Sequence, residues 1–283
     1  MKFSVITPCR NSGHLIEDTV RSVSEQSLLL NPDHSIQYVV VDGDSSDDTV
    51  RRVRESWNPK GNAEITIISE PDTGMYDALA KGLARATGDA ICYLNAGDYY
   101  SRYAMQVVSE CFLAFPKIHW LTGMSTAYTS SGAMFHAYVP WSYSSKLIRS
   151  GHYGGRGAGS FIQQESTFWR RELMSGIDID RLRNLSLAGD QYLWYSFAKT
   201  EQLFVVAGHL GGFRYHGSHL SEDMVLYKRE VLGFSEGASF TGNVQSAIHR
   251  YSGIIPPQIR QRLKIGRRLI VWNVAKDAWE LIE

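Results

Sequence analysis

Four short apolar runs in the first 100 residues most constrain how this chain can fold. They lie at Phe3–Thr7, Ile36–Val41, Ile65–Ser69 and Ala90–Leu94. Helical patterns separate them, and the runs recur about every 25–35 residues, a spacing typical of right-handed βαβ units in a parallel sheet. Because the runs are apolar throughout, the sequence predicts a sheet that helices cover on both faces.

The helical patterns between these strands carry recognisable start and stop signals. They predict helices over His14–Gln26, Thr49–Trp57 and Gly74–Ala86. Ser46-Asp47-Asp48 supplies side chains suited to cap the second helix, and Gly88 follows the third.

Each predicted strand stops in a small polar segment. These four strand-end loops are Thr7–Asn11, Asp42–Ser46, Glu70–Gly74 and Asn95–Asp98. Any one of them is explained by ordinary turn residues. Carboxyl ends of parallel strands meet at one edge of a sheet, however, where open α/β folds bind ligands. The coincidence of all four at one edge favours a cleft that takes a nucleotide.

The manner of phosphate binding is restricted by two missing motifs. The chain has neither Gly-x-Gly-x-x-Gly after the first strand nor a Walker A sequence, so a dinucleotide site and a P-loop are both disfavoured. Phosphates would then be neutralised by basic side chains or by a metal. A carboxylate at a strand end, as at Asp98, suits a hard divalent cation that carries a diphosphate.

Composition narrows the class of protein further. The 283 residues are 43% hydrophobic, and 29 Lys+Arg balance 29 Asp+Glu, so net charge gives no indication of a nucleic-acid partner. Cys92 and Cys111 fall in apolar patterns and, with Cys9, lack metal-ligand spacing, which predicts core thiols in a reducing compartment. With no signal-peptide pattern and no apolar run of about 18 residues, we expect a cytoplasmic protein.

The ordered segments of the first 100 residues resemble family 2 inverting glycosyltransferases of GT-A fold, in the branch that builds bacterial exopolysaccharide and O-antigen. The segments that carry the resemblance are Phe3–Asn11, Val40–Thr49, Glu70–Ala78, Lys81-Gly82, Ala86–Asp89 and Leu94–Asp98. The resemblance implies an α/β fold with a Rossmann-like, mostly parallel sheet flanked by helices, an acceptor-side subregion and a C-terminal helical extension.

For the donor nucleotide-sugar, the resemblance implies a set of binding residues. Thr7, Pro8 and Arg10 would line the nucleoside pocket. Asp42 would accept a hydrogen bond from the base, most often uracil, with Asp44 in reserve, and Asp72 would lie near the ribose or sugar. Lys81 could face the phosphates, although an ordinary solvated helix charge explains it better.

The metal motif shows the main departure from the family pattern. Asp98 matches the last acid of the Asp-x-Asp type motif and would hold Mg²⁺ or Mn²⁺, but Asn95 stands where most relatives carry an acid. An amide oxygen can ligate a cation without supplying charge, which leaves weaker metal binding or a second ligand elsewhere open.

The second half carries weaker motifs. The pattern predicts a helix over Ser101–Phe115 with Ser101 as its cap, a hairpin of Trp120–Tyr128 with Ala133–Val139, and a strand over Gln202–Ala207. The glycine-rich stretch Pro140–Ser160 is consistent with either a lid that excludes water or a plain surface loop.

Resemblance to later family motifs supplies the remaining candidate site residues. Gln164 and Glu165 would contact sugar hydroxyls, and Asp190 would be the catalytic base. Without the resemblance, Asp190 is explained as a helix cap. Arg214 would neutralise phosphate and His216 would ligate metal or phosphate; a packing role for His216 remains open.

The C-terminal pattern combines basic and aromatic residues. Ile254–Glu283 is predicted to form a long helix whose basic residues are Arg260, Arg262, Lys264, Arg267 and Arg268. Such a helix could dock on an anionic membrane face, where a lipid-linked acceptor would lie, or pack on the core. We therefore divide the chain into a nucleotide-sugar-binding half (1–100), an acceptor and catalytic half of the same domain (101–221) and a C-terminal helical extension (222–283).

Together these features predict a metal-dependent, inverting transferase for cell-surface polysaccharide synthesis. It would move a sugar from a nucleotide-sugar, with UDP favoured, to a hydroxyl of a saccharide or lipid-linked acceptor. A nucleotidyltransferase is one alternative, although it should need more acids at its metal. A non-catalytic nucleotide-sugar-binding relative is the other, and Asn95 keeps it open.

Overall fold

The computed structural model describes residues 1–153, 161–215, 223–237, 239–251, 259 and 267–282. The predicted ligand His216, residues 154–160 of the glycine-rich stretch and the basic residues Arg260, Arg262 and Lys264 lie outside these ranges. The strands of the described chain are β1 (Lys2–Cys9), β2 (Ser35–Asp42), β3 (Ala63–Ser69), β4 (Ala90–Tyr93), β5 (Tyr99–Tyr100), β6 (Trp120–Thr122), β7 (Ser125–Tyr128), β8 (Met134–Tyr138), β9 (Thr167–Arg170), β10 (Leu203–Val206), β11 (Gly211–Arg214), β12 (Leu269–Asn273) and β13 (Ala278–Ile282).

Helices connect most of these strands. They are α1 (Ile16–Ser24), α2 (Thr49–Ser56), α3 (Met75–Leu83), α4 (Ala104–Ala114), α5 (Ser145–Arg149), α6 (Ile179–Arg183), α7 (Gly189–Phe197), α8 (Met224–Phe234) and α9 (Phe240–Tyr251). The predicted helices of the first 115 residues are thereby confirmed to within a few residues. The predicted cap of α4 is not, because Tyr103 rather than Ser101 precedes its first turn.

The described strands of the main sheet run in the order β13-β12-β10-β6-β9-β4-β1-β2-β3. β1 pairs in parallel with both β2 and β4, and β2 with β3, as the βαβ pattern predicted. β9 then runs antiparallel between β4 and β6. The mostly parallel α/β architecture is therefore confirmed.

A second, four-stranded sheet lies beside the first, in the order β5-β11-β7-β8. β7 and β8 form the predicted antiparallel hairpin. The first strand predicted for it, Trp120–Tyr128, is wrong in extent, because Trp120–Thr122 is β6 and belongs to the main sheet. β11 pairs with β5, which directly follows the fourth strand-end loop, and with β7. This small sheet therefore joins the end of β4 to the second half of the chain.

Alternate residues of the central strands enter two separate hydrophobic clusters. Ile6 and Ile91 belong to one, whereas Val5 and Cys92 belong to the other. The central strands are therefore apolar on both faces because both faces are buried. Cys92 and Cys111 are buried and free, as predicted for core thiols, and Cys9 is buried and free as well.

The predicted C-terminal helix is wrong over residues 269–282. There the chain forms two strands, β12 and β13, whose antiparallel pairing sets Trp272 opposite Trp279. β12 also pairs in parallel with β10 and so extends the main sheet. The described part of the C-terminal region thus consists of the helices α8 and α9 followed by a β-hairpin. Because residues 269–282 are strands, they cannot act as an amphipathic membrane helix. No helix within the described ranges is long and apolar enough to cross a membrane.

Candidate active site

A cleft of about 670 Å³ opens where the ends of β1, β3 and β4 meet. Seven of the predicted site residues line it: Pro8, Arg10, Asp72, Asp98, Gln164, Glu165 and Asp190. The parallel pairing of the central strands explains why the first four are together, since adjacent parallel strands end at the same edge. The last three come from much later in the chain.

The first two strand-end loops hold each other in place. The backbone N–H of Asn11 donates to Ser45 Oγ at 2.8 Å, and the Asn11 Oδ1 accepts from the Ser46 N–H at 2.9 Å. Asn11 has a φ of 48°, a left-handed conformation that asparagine tolerates better than most residues. These bonds fix the loop beside Arg10, whose side chain is exposed at the cleft.

Two predicted nucleoside contacts, Thr7 and Asp42, are fully buried beneath the cleft rather than in its wall. The Thr7 hydroxyl accepts a hydrogen bond from Tyr38 at 3.0 Å. The Asp42 carboxylate accepts from the Ser45 N–H at 3.1 Å and from the Ser69 hydroxyl at 2.7 Å. In this structure Asp42 therefore ties the ends of β2 and β3 together.

Asp72 does reach the cleft, because the loop beside it has no side chain at Gly43. A Cβ at Gly43 would lie 2.4 Å from the Asp72 carboxylate oxygen. The other Asp72 oxygen accepts from the Gly74 N–H at 3.0 Å. The glycine at position 43 thus leaves room for Asp72. Asp44 is exposed to solvent and does not line the cleft.

Asp98 is 3% exposed and held by the small sheet. Its Oδ1 accepts the Arg214 N–H at 2.9 Å. Burial and the neighbouring Glu165 raise the pKa of Asp98 well above its usual range, and burial raises the pKa of Glu165 to about 7. Two neighbouring buried carboxyl groups are costly to ionise together, and a bound cation would lower that cost.

Asn95 lies next to this pair and leaves one buried polar atom unsatisfied. Its amide donates to Gln164 Oε1 at 3.3 Å, but its Oδ1 has no hydrogen-bond partner. A buried acceptor without a partner is costly. Its presence beside two carboxyl groups is consistent with a site for a hard cation, although no group of three His, Cys, Asp or Glu side chains with metal-ligand geometry occurs among the described residues.

Asp190 occupies the first turn of α7, at the opposite wall of the cleft. Its Oδ1 accepts the Gln191 N–H at 2.6 Å and the Tyr227 hydroxyl at 3.3 Å. Burial raises the pKa of Asp190 to about 6 in spite of these bonds. The carboxylate is therefore ionised at neutral pH yet more basic than an ordinary aspartate.

α7 is anchored beneath Asp190 by a cluster of large aromatic rings. Trp194 stacks on Trp120 with ring centroids 5.8 Å apart and meets Trp169 edge-on at 6.0 Å. All three indoles are almost completely buried. The first turn of α7 is thus fixed relative to the main sheet.

Arg214 does not face this cleft. Its guanidinium donates to the Gly97 carbonyl at 2.9 Å and pairs with Asp18 at 2.7 Å, and it lines a neighbouring cavity. Lys81 is also occupied, since its ammonium donates to the Pro71 carbonyl at 2.8 Å and pairs with Glu70 at 3.1 Å. Both cations hold loops of the site in place in this structure.

Sequence reasoning missed three residues that surround Asp190. Tyr76 of α3 and Tyr227 of α8 line the cleft, and Glu230 of α8 binds the loop before α7. Tyr76 and Tyr227 sit in helical apolar patterns, where an aromatic residue normally indicates core. Both do belong to the buried core, and only their hydroxyl contacts show that they also adjoin Asp190.

The first part of the chain is similar to known glycosyltransferase sequences. Residues 4–117 match the model of Glycosyl transferase family 2. An uncharacterized glycosyltransferase of Mycobacterium tuberculosis is 38% identical over 98 residues, which are 35% of this chain and 34% of the relative. The poly(ribitol-phosphate) beta-N-acetylglucosaminyltransferase TarS of Staphylococcus aureus is 28% identical over 106 residues, 38% of this chain and 18% of TarS. The matched segment thus spans about a third or less of these curated relatives.

Solved structures extend the likeness to the whole fold. S. aureus TarS 1–349 in complex with UDP-GlcNAc superposes with a TM-score of 0.60 at 16% identity, covering 94% of this chain and 76% of that one. The mannosyltransferase PcManGT from Pyrobaculum calidifontis, in complex with GDP-Man and Mn²⁺, gives 0.56 at 15% identity over 93% and 78%. Residues 4–117 are therefore similar to glycosyl transferase family 2, and the architecture of the chain is the GT-A fold.

Proposed function

We propose that this protein is an inverting glycosyltransferase that moves a sugar from a nucleotide-sugar to a hydroxyl of a saccharide or lipid-linked acceptor, in cell-surface polysaccharide synthesis. The observation that carries the proposal is the position of Asp190. This half-buried carboxylate, with a pKa raised to about 6, shares one cleft with Asp98 and with strand-end loops of the segment that matches family 2.

The donor would lie along the strand-end loops. Pro8 and Arg10 at one end and Asp72 at the other line the cleft at the edge of the sheet. Arg10 is exposed and offers a fork of donors to phosphate or to the base. UDP is the first nucleotide to test because a TarS structure holds UDP-GlcNAc, and the GDP-Man complex of PcManGT makes GDP the second.

A divalent cation fits the residues around Asp98. Asp98 and the unpartnered Asn95 oxygen would hold it, and Mg²⁺ or Mn²⁺ both favour such oxygen ligands. When bound, such an ion supplies positive charge for the departing diphosphate.

Asp190 would take the proton of the acceptor hydroxyl. The acceptor oxygen forms its bond to the anomeric carbon as the bond from that carbon to the diphosphate oxygen breaks, and the nucleoside diphosphate leaves. One general base is enough for this single displacement, which inverts the anomeric centre. Gln164 and Glu165, which line the same cleft, would contact sugar hydroxyls.

A screen of nucleotide-sugars tests the proposal. UDP- and GDP-sugars would be offered with Mg²⁺, Mn²⁺ or EDTA, and both binding and slow release of nucleoside diphosphate would be measured. We expect metal-dependent binding of one donor, weakened about 10–100-fold in Asp98→Asn, which keeps the acceptor for the Arg214 N–H.

Three outcomes of the screen separate the alternatives. Binding without release or transfer would favour the non-catalytic relative. Release of pyrophosphate from a nucleoside triphosphate and a sugar phosphate would favour the nucleotidyltransferase. No binding of any donor would contradict the proposal.

A further inference from the structure

The loop that precedes Asp190 is held from one side by a single carboxylate. The name base loop is used here for residues 186–188 together with the first residues of α7, 189–191. It presents the N–H groups of Ser186, Leu187 and Ala188 to Glu230 of α8, at 2.7, 2.9 and 2.8 Å. Charge-assisted bonds of this kind are stronger than neutral ones. They also place a negative charge at the N-terminal end of α7, where the helix dipole favours it.

Tyr227 lies one turn earlier on the same helix and reaches Asp190 itself. Its hydroxyl donates to Asp190 Oδ1 at 3.3 Å. Burial raises the pKa of the Tyr227 phenol well above its usual range, so the group remains a protonated donor. One helix thus binds both the backbone before Asp190 and the Asp190 carboxylate.

The opposite side of the base loop contacts α3, which begins directly after the Asp72 loop. The Tyr76 hydroxyl donates to the Leu187 carbonyl at 3.1 Å and accepts the Asp190 N–H at 3.3 Å. Gly189 lies against this ring so closely that a Cβ there would be 2.3 Å from it. The base loop is therefore enclosed between a helix of the donor half and α8.

The two hydrogen bonds to the Asp190 carboxylate both use Oδ1. The backbone of Gln191 and the Tyr227 hydroxyl donate to that oxygen, and within the described residues no hydrogen bond to Oδ2 is found. Oδ2 is then the oxygen available to take a proton from an acceptor. Rotation of the carboxylate would break both bonds to Oδ1.

We propose that Tyr227 and Glu230 are positioning residues for the transfer reaction: Glu230 fixes the base loop and Tyr227 fixes the rotation of the Asp190 carboxylate, so that Oδ2 receives the acceptor proton. This inference rests on the proposed function, because it takes Asp190 as the base. It assigns to α8 a role in a reaction whose other residues come from earlier in the chain.

Tyr227 and Glu230 change the pKa of Asp190 in opposite directions, which makes the inference testable. The Tyr227 hydrogen bond lowers the pKa of Asp190, whereas the negative charge of Glu230 raises it. The other ionisable groups that interact with Asp190 are Tyr76 of α3, Tyr93 of β4 and Glu165, and neither substitution below alters them.

The test compares Tyr227→Phe and Glu230→Gln with the unmodified protein and with Tyr195→Phe. Tyr195 is on α7 and packs against Phe234, so its substitution removes a nearby hydroxyl that makes no contact with Asp190. The Asp190 carboxyl carbon would be titrated by ¹³C NMR and assigned by its absence in Asp190→Asn. The pH profile of nucleoside diphosphate release, with water as acceptor and the donor found in the screen, would be measured in parallel.

We expect the Asp190 midpoint to rise by about half a pH unit in Tyr227→Phe and to fall by a similar amount in Glu230→Gln. The acid limb of the release profile should move with it, and the KM for donor should be unchanged in both. A kcat about 10-fold lower in Tyr227→Phe would reflect the loss of carboxylate orientation. Tyr195→Phe should have the same Asp190 midpoint and the same release profile as the unmodified protein.

Equal midpoints in all four proteins, or shifts of the same sign in Tyr227→Phe and Glu230→Gln, would overturn the inference. Shifted midpoints accompanied by an unchanged kcat and an unmoved acid limb would also overturn it. If the opposed NMR shifts are found but the unmodified protein releases no nucleoside diphosphate, the proposed function fails while the contacts around Asp190 stand. The NMR arm therefore distinguishes the two failures.

Discussion

The two walls of the cleft are built in different ways. On the donor side, Arg10, Asp72 and Asp98 follow three strands that share a sheet edge, within the first 100 residues. On the base side, Asp190 is held by contacts from α3 and α8, more than 100 and more than 35 positions away along the chain. The donor wall is therefore a product of local sequence and sheet topology, whereas the base wall depends on tertiary packing.

This difference has a consequence for substitutions. Loops at strand ends rest on backbone pairing, so a change there should alter a contact without altering the fold. The base wall depends on a few buried side chains, so a change there should affect stability and chemistry together. The following predictions test that contrast, from the largest expected effect to the smallest.

The first prediction concerns chemistry. Asp190→Asn should lower transfer or nucleoside diphosphate release by about 10²–10⁴-fold, the usual contribution of a general base, and leave donor binding unchanged. Steady-state kinetics and donor titration would check it. Asp180→Asn on α6, where the side chain is 92% exposed, is the matched control and should be neutral. Full activity in Asp190→Asn would remove Asp190 from the mechanism.

The second prediction concerns the stability cost of the same group. Because the folded pKa of Asp190 is about 6, above the ordinary value of about 3.9, its ionisation destabilises the folded state, and the penalty grows as pH rises from about 4 to 6. Asp190→Asn removes this penalty. Urea unfolding should show a stability advantage for the variant about 2 kcal/mol larger at pH 7.5 than at pH 4.5. A difference in unfolding free energy that does not change with pH would contradict the raised pKa of Asp190.

The third prediction concerns packing at the base loop. Gly189→Ala should destabilise the protein by about 1–3 kcal/mol, because the added methyl meets the buried Tyr76 ring. Gly176→Ala is the control, since a Cβ there meets nothing within 4 Å. Thermal unfolding of both would compare them. Similar stabilities would mean that α3 and the base loop are less tightly packed than the structure indicates.

The fourth prediction concerns the far end of the main sheet. Trp279 of β13 donates its indole N–H to Glu110 of α4 at 2.8 Å, so Trp279→Phe should cost about 1 kcal/mol. Trp272→Phe, at a ring that is 42% exposed, should cost less. Chemical denaturation would measure both. The donor affinity should be the same in the two variants, because neither residue reaches the cleft.

The sequence predicted the donor wall well because periodicity and turn chemistry are local signals. The strands before Arg10, Asp72 and Asp98 were placed to within a few residues, and parallel topology then brings their ends together. Thr7 and Asp42 were predicted to lie in strand-end loops, but they belong to the last residues of β1 and β2, where both are fully buried. Their partners Tyr38 and Ser69 were not foreseeable from spacing alone.

Prediction failed where distant segments decide the structure. Leu269–Asn273 has an amphipathic pattern compatible with a helix, and pairing with β10 and β13 makes it a strand. Tyr227 and Glu230 belong to an ordinary helical pattern, and only the approach of the base loop gives them a partner. Arg214 was predicted from a motif, yet the pairing of β11 directs it to Asp18 and Gly97.

The strand order of the main sheet affects how the protein folds while it is being synthesised. β10 pairs with β12, which emerges from the ribosome more than 60 residues later. At about 5–20 residues per second, the apolar edge at Val205 and Val206 stays unpaired for several seconds, open to other nascent chains. Shortened chains that stop before Leu269 should therefore aggregate during expression, although every residue that lines the cleft is present in them.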